Sequence, residues 1–326
     1  MRICLLTKDS PNLLYQGTAA ACRELGFECL EINISQARNE DPPLWVSIPT
    51  LQPDPHDEDA MILEQIRTFR PDVILLLQYA GLPFLRSHGP AIRDLLGDGK
   101  VGFWLVDLAE SVFPNEELGQ YIDGFFASNA GQLPEYKAKW GLKTTCFMPQ
   151  GGLVRTPASF NSPKKHKVGF LGRRQREDPR YEKRNKLLDA FKESFDLFEA
   201  DSLVSPEEMA VFYQECGIVL GTSWRNDVDL YSSDRIFNVT AAGGFYLCSY
   251  FPGIDRLFGN NRHVAWFETT DEGLRTAGRY LGDPEARDTV AASGHALAKE
   301  KHTYADRVTN IVDVLAGKTK EFSGFL

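Results

Sequence analysis

The 326-residue sequence is notable first for what it has little of. No run approaches the roughly 20 consecutive apolar residues that a membrane-spanning helix needs. The longest apolar stretches, Val73–Leu77 and Val101–Val106, have the length of single strands. The opening MRICLLTKDSPN reaches charge and proline by Asp9 and Pro11, too soon for a signal-peptide core. Positive charge is scarce: 36 Lys and Arg stand against 45 Asp and Glu, a net charge of −9. That argues against a duplex-DNA binder working through a broad basic surface, because phosphate neutralisation needs clustered cations. Six cysteines are present, none in a CxxC pair, and most lie in apolar runs such as ICLL and FYLCSY. They read as reduced core thiols of a cytoplasmic protein, with no case for zinc. GxxxxGK(S/T), GxSxG and HExxH are all missing, which removes P-loop, nucleophile-elbow and zincin chemistry.

What is present is an ordinary globular composition, 43% hydrophobic and 25% charged, with room for two domains. In the first half, short apolar strands alternate with amphipathic helices. Strands are predicted at Arg2–Thr7, Glu28–Ile34, Val73–Leu77, Val101–Val106, Tyr121–Ser128 and Thr144–Met148. Helices are predicted at Leu13–Leu25, Ala60–Phe69, Pro90–Leu96 and Leu133–Trp140. Residues 35–59, rich in proline and acid, read as a long surface loop. Residues 153–166 contain two prolines and no periodicity, and read as a linker. The alternation then restarts from Lys167–Leu171 and runs to a closing helix at Tyr304–Leu315. Strands separated by helical patterns imply βαβ units and parallel sheets, so each half reads as a Rossmann-like α/β layer structure. Ligands of such sheets bind beyond the carboxyl ends of the strands.

Two DxD triplets, Asp57/Asp59 and Asp227/Asp229, could hold a divalent metal, but in so acidic a chain both read as solvated loops. Two segments of the second half carry more chemistry. Val168-Gly169-Phe170-Leu171-Gly172-Arg173-Arg174 ends a strand in glycine, offering backbone N–H groups and a forked cation to a diphosphate. Ser233-Asp234-Arg235-Ile236-Phe237-Asn238 starts a helix after the strand Gly217–Thr222. Arg235 falls in the first turn, where the helix dipole disfavours a cation unless an anion joins it. Asn238, one turn on, could hydrogen-bond a ribose.

The second segment, with Pro252-Gly253-Ile254, Asp271-Glu272-Gly273-Leu274, Leu281-Gly282-Asp283-Pro284-Glu285-Ala286-Arg287 and His302-Thr303-Tyr304-Ala305-Asp306-Arg307, resembles the C-terminal domain of group-1-like glycosyltransferases. The resemblance is to the CgeB-like branch and covers about residues 166–310. Trp104-Leu105-Val106-Asp107 and Met148-Pro149-Gln150-Gly151 resemble the W-x-x-D and L-P-x-G elements of the first domain. The resemblance implies an α/β GT-B fold, two Rossmann-like domains with parallel sheets facing across a cleft. It places an acceptor domain at 1–152, a linker at 153–166 and a nucleotide-sugar domain at 167–303. Residues 304–326 form a helix and tail returning to the first domain. It implies a nucleotide-diphosphate-sugar donor, a UDP-sugar foremost, with no metal and no other cofactor. One position departs from it: the acid of R-x-F-E is Asn238 here, and the acid found eight residues earlier in many group-1 enzymes would fall at Leu230, with Asp229 adjacent.

The predicted donor set is therefore Gly172, Arg173, Thr222, Arg235, Phe237 and Asn238, with cationic groups neutralising the departing diphosphate. Asp107, beyond a strand end, is the predicted catalytic base or acceptor-binding group; Lys8 and Asp9 are weaker candidates of the same kind. The acceptor itself, a glycan, protein or small molecule, is not legible. Three other classes share these features: a sugar-nucleotide epimerase, a non-catalytic nucleotide-sugar binder, and a transferase acting on nucleic acid, the last opposed by the net charge.

Overall fold

The computed structural model describes residues 1–7, 13–34, 57–153, 158, 160, 163–201 and 205–326, the side chains of 57, 58 and 80 excepted. Lys8, Asp9, the 35–56 part of the acidic segment and linker residues 154–157, 159, 161 and 162 lie outside the described residues. The chain divides into two compact units: Met1–Pro149 with Arg307–Phe322, and Gln150–Asp306 with Ser323–Leu326.

The first unit is a six-stranded parallel sheet of β1 (Arg2–Thr7), β2 (Glu28–Asn33), β3 (Val73–Leu77), β4 (Lys100–Leu105), β5 (Gly124–Ala127) and β6 (Thr145–Phe147), ordered β2-β1-β3-β4-β5-β6. The central strands β3, β4 and β5 are buried almost throughout, as their unbroken apolar runs require when helices cover both faces. Strand β2, at the edge, carries the polar alternation ECLEIN.

Helices α1 (Leu13–Glu24), α2 (Asp57–Phe69), α3 (Leu82–Leu96), α4 (Glu116–Gly119) and α5 (Leu133–Lys139) connect the strands. Helix α3 starts eight residues before the predicted Pro90, which is inside it. The residue before a proline normally resists helical backbone because its Cβ meets the ring. Here that residue is Gly89, which has no Cβ and lies under the Tyr121 ring. The expected strand Tyr121–Ser128 shortens to β5 because Asp123 is spent on a side-chain anchor, its carboxylate taking the Val101 N–H (2.8 Å) and Arg93 (2.8 Å).

The second unit is a five-stranded parallel sheet of β7 (His166–Leu171), β8 (Phe198–Ala200), β9 (Cys216–Gly221), β10 (Tyr246–Ser249) and β11 (Ala265–Phe267), ordered β11-β10-β9-β7-β8. Its helices are α6 (Glu182–Phe195), α7 (Pro206–Glu215), α8 (Arg235–Ala241), α9 (Ile254–Leu257), α10 (Thr270–Gly282) and α11 (Pro284–Lys301). Local capping is explicit: Ser205 and Glu208 form a capping box on α7, and Thr269 and Asp283 cap α10 and α11.

The last helix, α12 (Tyr304–Leu315), opens in the second unit and from Arg307 onward belongs to the first. Gly102 of β4 and Gly124 of β5 leave room for Leu315; a Cβ on them would lie 3.3 and 2.7 Å from its methyl groups. Arg307, fully buried, donates to the Pro149 carbonyl (3.1 Å) and lies over the Phe322 ring.

Candidate functional site

In each sheet the strand order changes direction beside the first strand of the unit, between β1 and β3 and between β7 and β9. Open α/β sheets take their ligands there, beyond the carboxyl ends. In the second unit that point is occupied by Arg235, the first residue of α8. Its Nη1 donates to the Leu171 carbonyl at the end of β7 (3.0 Å), and its Nη2 to the Thr222 carbonyl just past β9 (2.6 Å). One buried guanidinium thus ties together the two strand ends that flank the crevice.

Gly172 follows β7 with φ 151°, a backbone that favours glycine. Its N–H, expected to be open to a phosphate, donates instead to the Ala200 carbonyl (2.8 Å) and extends the β7–β8 pairing. The missing side chain matters more. A Cβ here would lie 2.9 Å from Arg235 Nη1 and 3.2 Å from Nη2 of Arg184. Arg184, in the first turn of α6, is the residue that sequence reasoning missed. Both guanidiniums lie over the Phe170 ring, at 5.1 Å for Arg184 and 5.0 Å for Arg235. Each has a buried Nε without a hydrogen-bond partner, and neither forms an ion pair among the described residues. Burial, and then the charge of Arg235, pull Arg184 down to about 10, still cationic at neutral pH.

The remaining predicted donor residues divide. Thr222 contributes its carbonyl to Arg235, and its hydroxyl accepts from Asn226 (3.3 Å). Asn238 is buried and donates from Nδ2 to Oδ2 of Asp234 (3.1 Å), whose Oδ1 accepts from Ser233 (3.1 Å). The carboxylate that the resemblance puts at 238 is thus matched by one held a turn earlier, at 234. Phe237 is a core residue, its ring against Phe258 (5.9 Å) and His302 (5.4 Å). Arg173 is exposed and makes no hydrogen bond or ion pair with the described residues.

In the first unit, Asp107 follows β4 by two residues, half-buried, and Oδ2 accepts from Gln78 Nε2 (3.0 Å). Of the two DxD triplets, the second lies on a largely exposed loop as expected and the first does not. Asp59 lies in α2 and contacts His88 (2.9 Å), while Asp227 and Asp229 face Arg225 and Arg256. Among the described residues no three His, Cys, Asp or Glu side chains gather as a metal site, and no helix is long and apolar enough to cross a membrane. Gly97, Gly99 and Gly102 have the GxGxxG spacing, contrary to the expectation that the chain has none, but they run from the end of α3 into β4. That is the reverse of the strand-to-helix order a dinucleotide loop needs.

Residues 166–313 match the family described as glycosyl transferase-like. No curated protein matches the chain in sequence. Among solved structures, the sucrose-phosphate synthase of Thermosynechococcus elongatus superposes with a TM-score of 0.62 at 11% identity, covering 98% of this chain and 100% of that one. Anabaena Alr3699/HepE, crystallised with UDP and glucose, does so with 0.63 at 11% identity, covering 97% and 100%. A glycosyltransferase from Rickettsia africae gives 0.60 at 10% identity, covering 97% and 98%. The fold is thus that of the GT-B glycosyltransferases, and the stretch that resembles a glycosyl transferase-like family makes up most of the second unit.

Proposed function

We propose that this chain transfers a sugar from a nucleotide-diphosphate donor, a UDP-sugar foremost, to an acceptor, and that it sits with the CgeB-like branch of its class. The single observation that carries the reading is the pair of guanidiniums, Arg184 and Arg235, which converge at the switch point of the second sheet and pair with no carboxylate among the described residues. When the bond between the sugar and the diphosphate breaks, negative charge develops on the leaving oxygen. Preorganised, partly desolvated guanidiniums stabilise that charge without reorganising. They supply the neutralisation that a divalent cation would otherwise provide, so transfer should persist in EDTA. Asp107, at the carboxyl edge of the first sheet, is the candidate base toward the acceptor. A cytosolic setting agrees with six unpaired cysteines, five of them buried.

The test is a donor screen. UDP and UDP-sugars should raise the melting temperature, since a ligand at about a hundred times its Kd adds roughly 2.7 kcal/mol. Slow release of UDP should follow from the cognate donor. No shift with any nucleoside diphosphate would remove the reading. A second reading, a nucleotide-sugar binder without transfer, is favoured by the commitment of both terminal nitrogens of Arg235 to main-chain carbonyls. It predicts the thermal shift with neither hydrolysis nor transfer.

A further inference from the structure

Gln78, the residue directly after β3, has a left-handed backbone with φ 60°. A residue with a Cβ seldom adopts this conformation, and strain of this kind gathers at functional sites. Here it accompanies a specific side-chain placement. Oε1 of Gln78 accepts the Val106 N–H (3.3 Å), and Nε2 donates to Oδ2 of Asp107 (3.0 Å). The orientation of the amide is determined by its partners. The Val106 N–H can only donate, so the amide oxygen faces it, and the NH2 group is left for the carboxylate. Both partners lie just past β4, the strand that pairs with β3. Because β3 borders the point where the strand order turns, Gln78 stands beside the crevice at which such sheets bind ligands. Among the described residues Tyr79, in the turn after β3, and Tyr136, on α5, also act on Asp107 electrostatically. Burial pushes both phenols up, so they stay neutral at ordinary pH.

We propose that Gln78 is a positioning residue for Asp107, its strained backbone carrying an amide that holds one carboxylate oxygen and so orients the group toward an acceptor. The inference rests on the reading of Asp107 as the acceptor-side base. A right-handed residue at 78 would aim its side chain elsewhere.

The experiment is a double-mutant cycle on UDP release from UDP-glucose, with Gln78→Ala, Asp107→Asn and the double variant. Gln78→Ala should lower kcat roughly tenfold, the scale of one hydrogen bond to a charged group, with KM for UDP-glucose nearly unchanged. In the Asp107→Asn background the same change should have no further effect, a silence that a merely structural role would not produce. Gln78→Gly relaxes the turn and removes the amide. It should fold as well as the wild type and show the same loss of rate, which keeps the test open if the alanine variant folds poorly. Equal slowing by Gln78→Ala in both backgrounds overturns the inference alone, as does full activity of Gln78→Ala and Gln78→Gly while Asp107→Asn is slow. Full activity of Asp107→Asn, or no UDP release by the wild type, overturns the base reading and the inference with it.

Discussion

Arg184 and Arg235 bring two guanidiniums to one glycine: a Cβ on Gly172 would lie 3.2 Å from a terminal nitrogen of the first and 2.9 Å from one of the second. Two partly desolvated like charges this near each other raise the energy of the empty protein, and among the described residues no carboxylate pairs with either. Their roles nevertheless differ. Arg235 satisfies two carbonyls and so belongs to the fold as well as to the site. Arg184 lies over the Phe170 and Tyr181 rings and makes no hydrogen bond among the described residues.

The two arginines should therefore separate experimentally. Arg184→Met keeps much of the stem's volume and removes a desolvated charge, so stability should hold or rise, while affinity for UDP falls roughly tenfold or more. Arg235→Met leaves the Leu171 and Thr222 carbonyls without their donor and should cost about 2–4 kcal/mol in urea unfolding, besides affinity. Calorimetric titration with UDP reads the second quantity. An Arg184→Met protein that is less stable yet binds UDP as the wild type does would assign Arg184 to packing.

Gly172→Ala tests the same place from the backbone. The positive φ strains any L-residue, and the new methyl group would press on the two guanidiniums. Expected are a loss of about 1–3 kcal/mol in stability and a fall in UDP affinity of at least tenfold, because the arginines must part. An alanine variant with unchanged UDP affinity would mean that the guanidiniums need not converge for binding.

Much of this fold was legible because buried parallel strands write themselves as short unbroken apolar runs, as Val73–Leu77 and Val101–Val106 do. Arg235 could be found because a cation in the first turn of a helix is anomalous on its own. Arg184 could not. It stands in EKRNK, a run that looks like any solvated helix face, and only the return of α6 against β7 brings it to Gly172. Gln78 left no signal either, since glutamine does not announce a left-handed backbone. The first two turns of α3 were hidden by Pro90, which reads as a helix start. Phe237, singled out from its place beside Arg235, is on the helix face turned into the core.

Asn238 and Asp234 form an i,i+4 pair in which an amide steadies a carboxylate. Asn238→Glu sets two carboxylates against each other in a half-buried place and should destabilise the protein by about 1–3 kcal/mol. Adding Asp234→Asn restores an amide–carboxylate hydrogen bond with the roles exchanged and should recover most of that loss. If the charge is needed by the donor and its position within the turn is not, UDP affinity recovers too. Equal affinity in wild type, Asn238→Glu and the doubly exchanged variant would show that this carboxylate is not part of the donor site.

His263 gives the second unit a defined response to acid. The ring is buried before β11, and its Nδ1 accepts the Gly259 N–H (3.0 Å), which requires the proton to be on Nε2. Burial, and then the charge of Arg262, lower its pKa from the ordinary 6.5. The unfolded chain therefore takes up a proton just below pH 6.5 while the folded protein does not. In that window the unfolded state binds more protons, so stability falls as pH falls, by at most about 1.4 kcal/mol per unit for one proton. The loss stops growing once the pH passes below the folded value, where both states are protonated. His263→Asn keeps an acceptor near the position of Nδ1 but cannot titrate. Its unfolding free energy should decline less than that of the wild type between pH 7 and 5, and a parallel decline in the two proteins would assign the acid response to other groups.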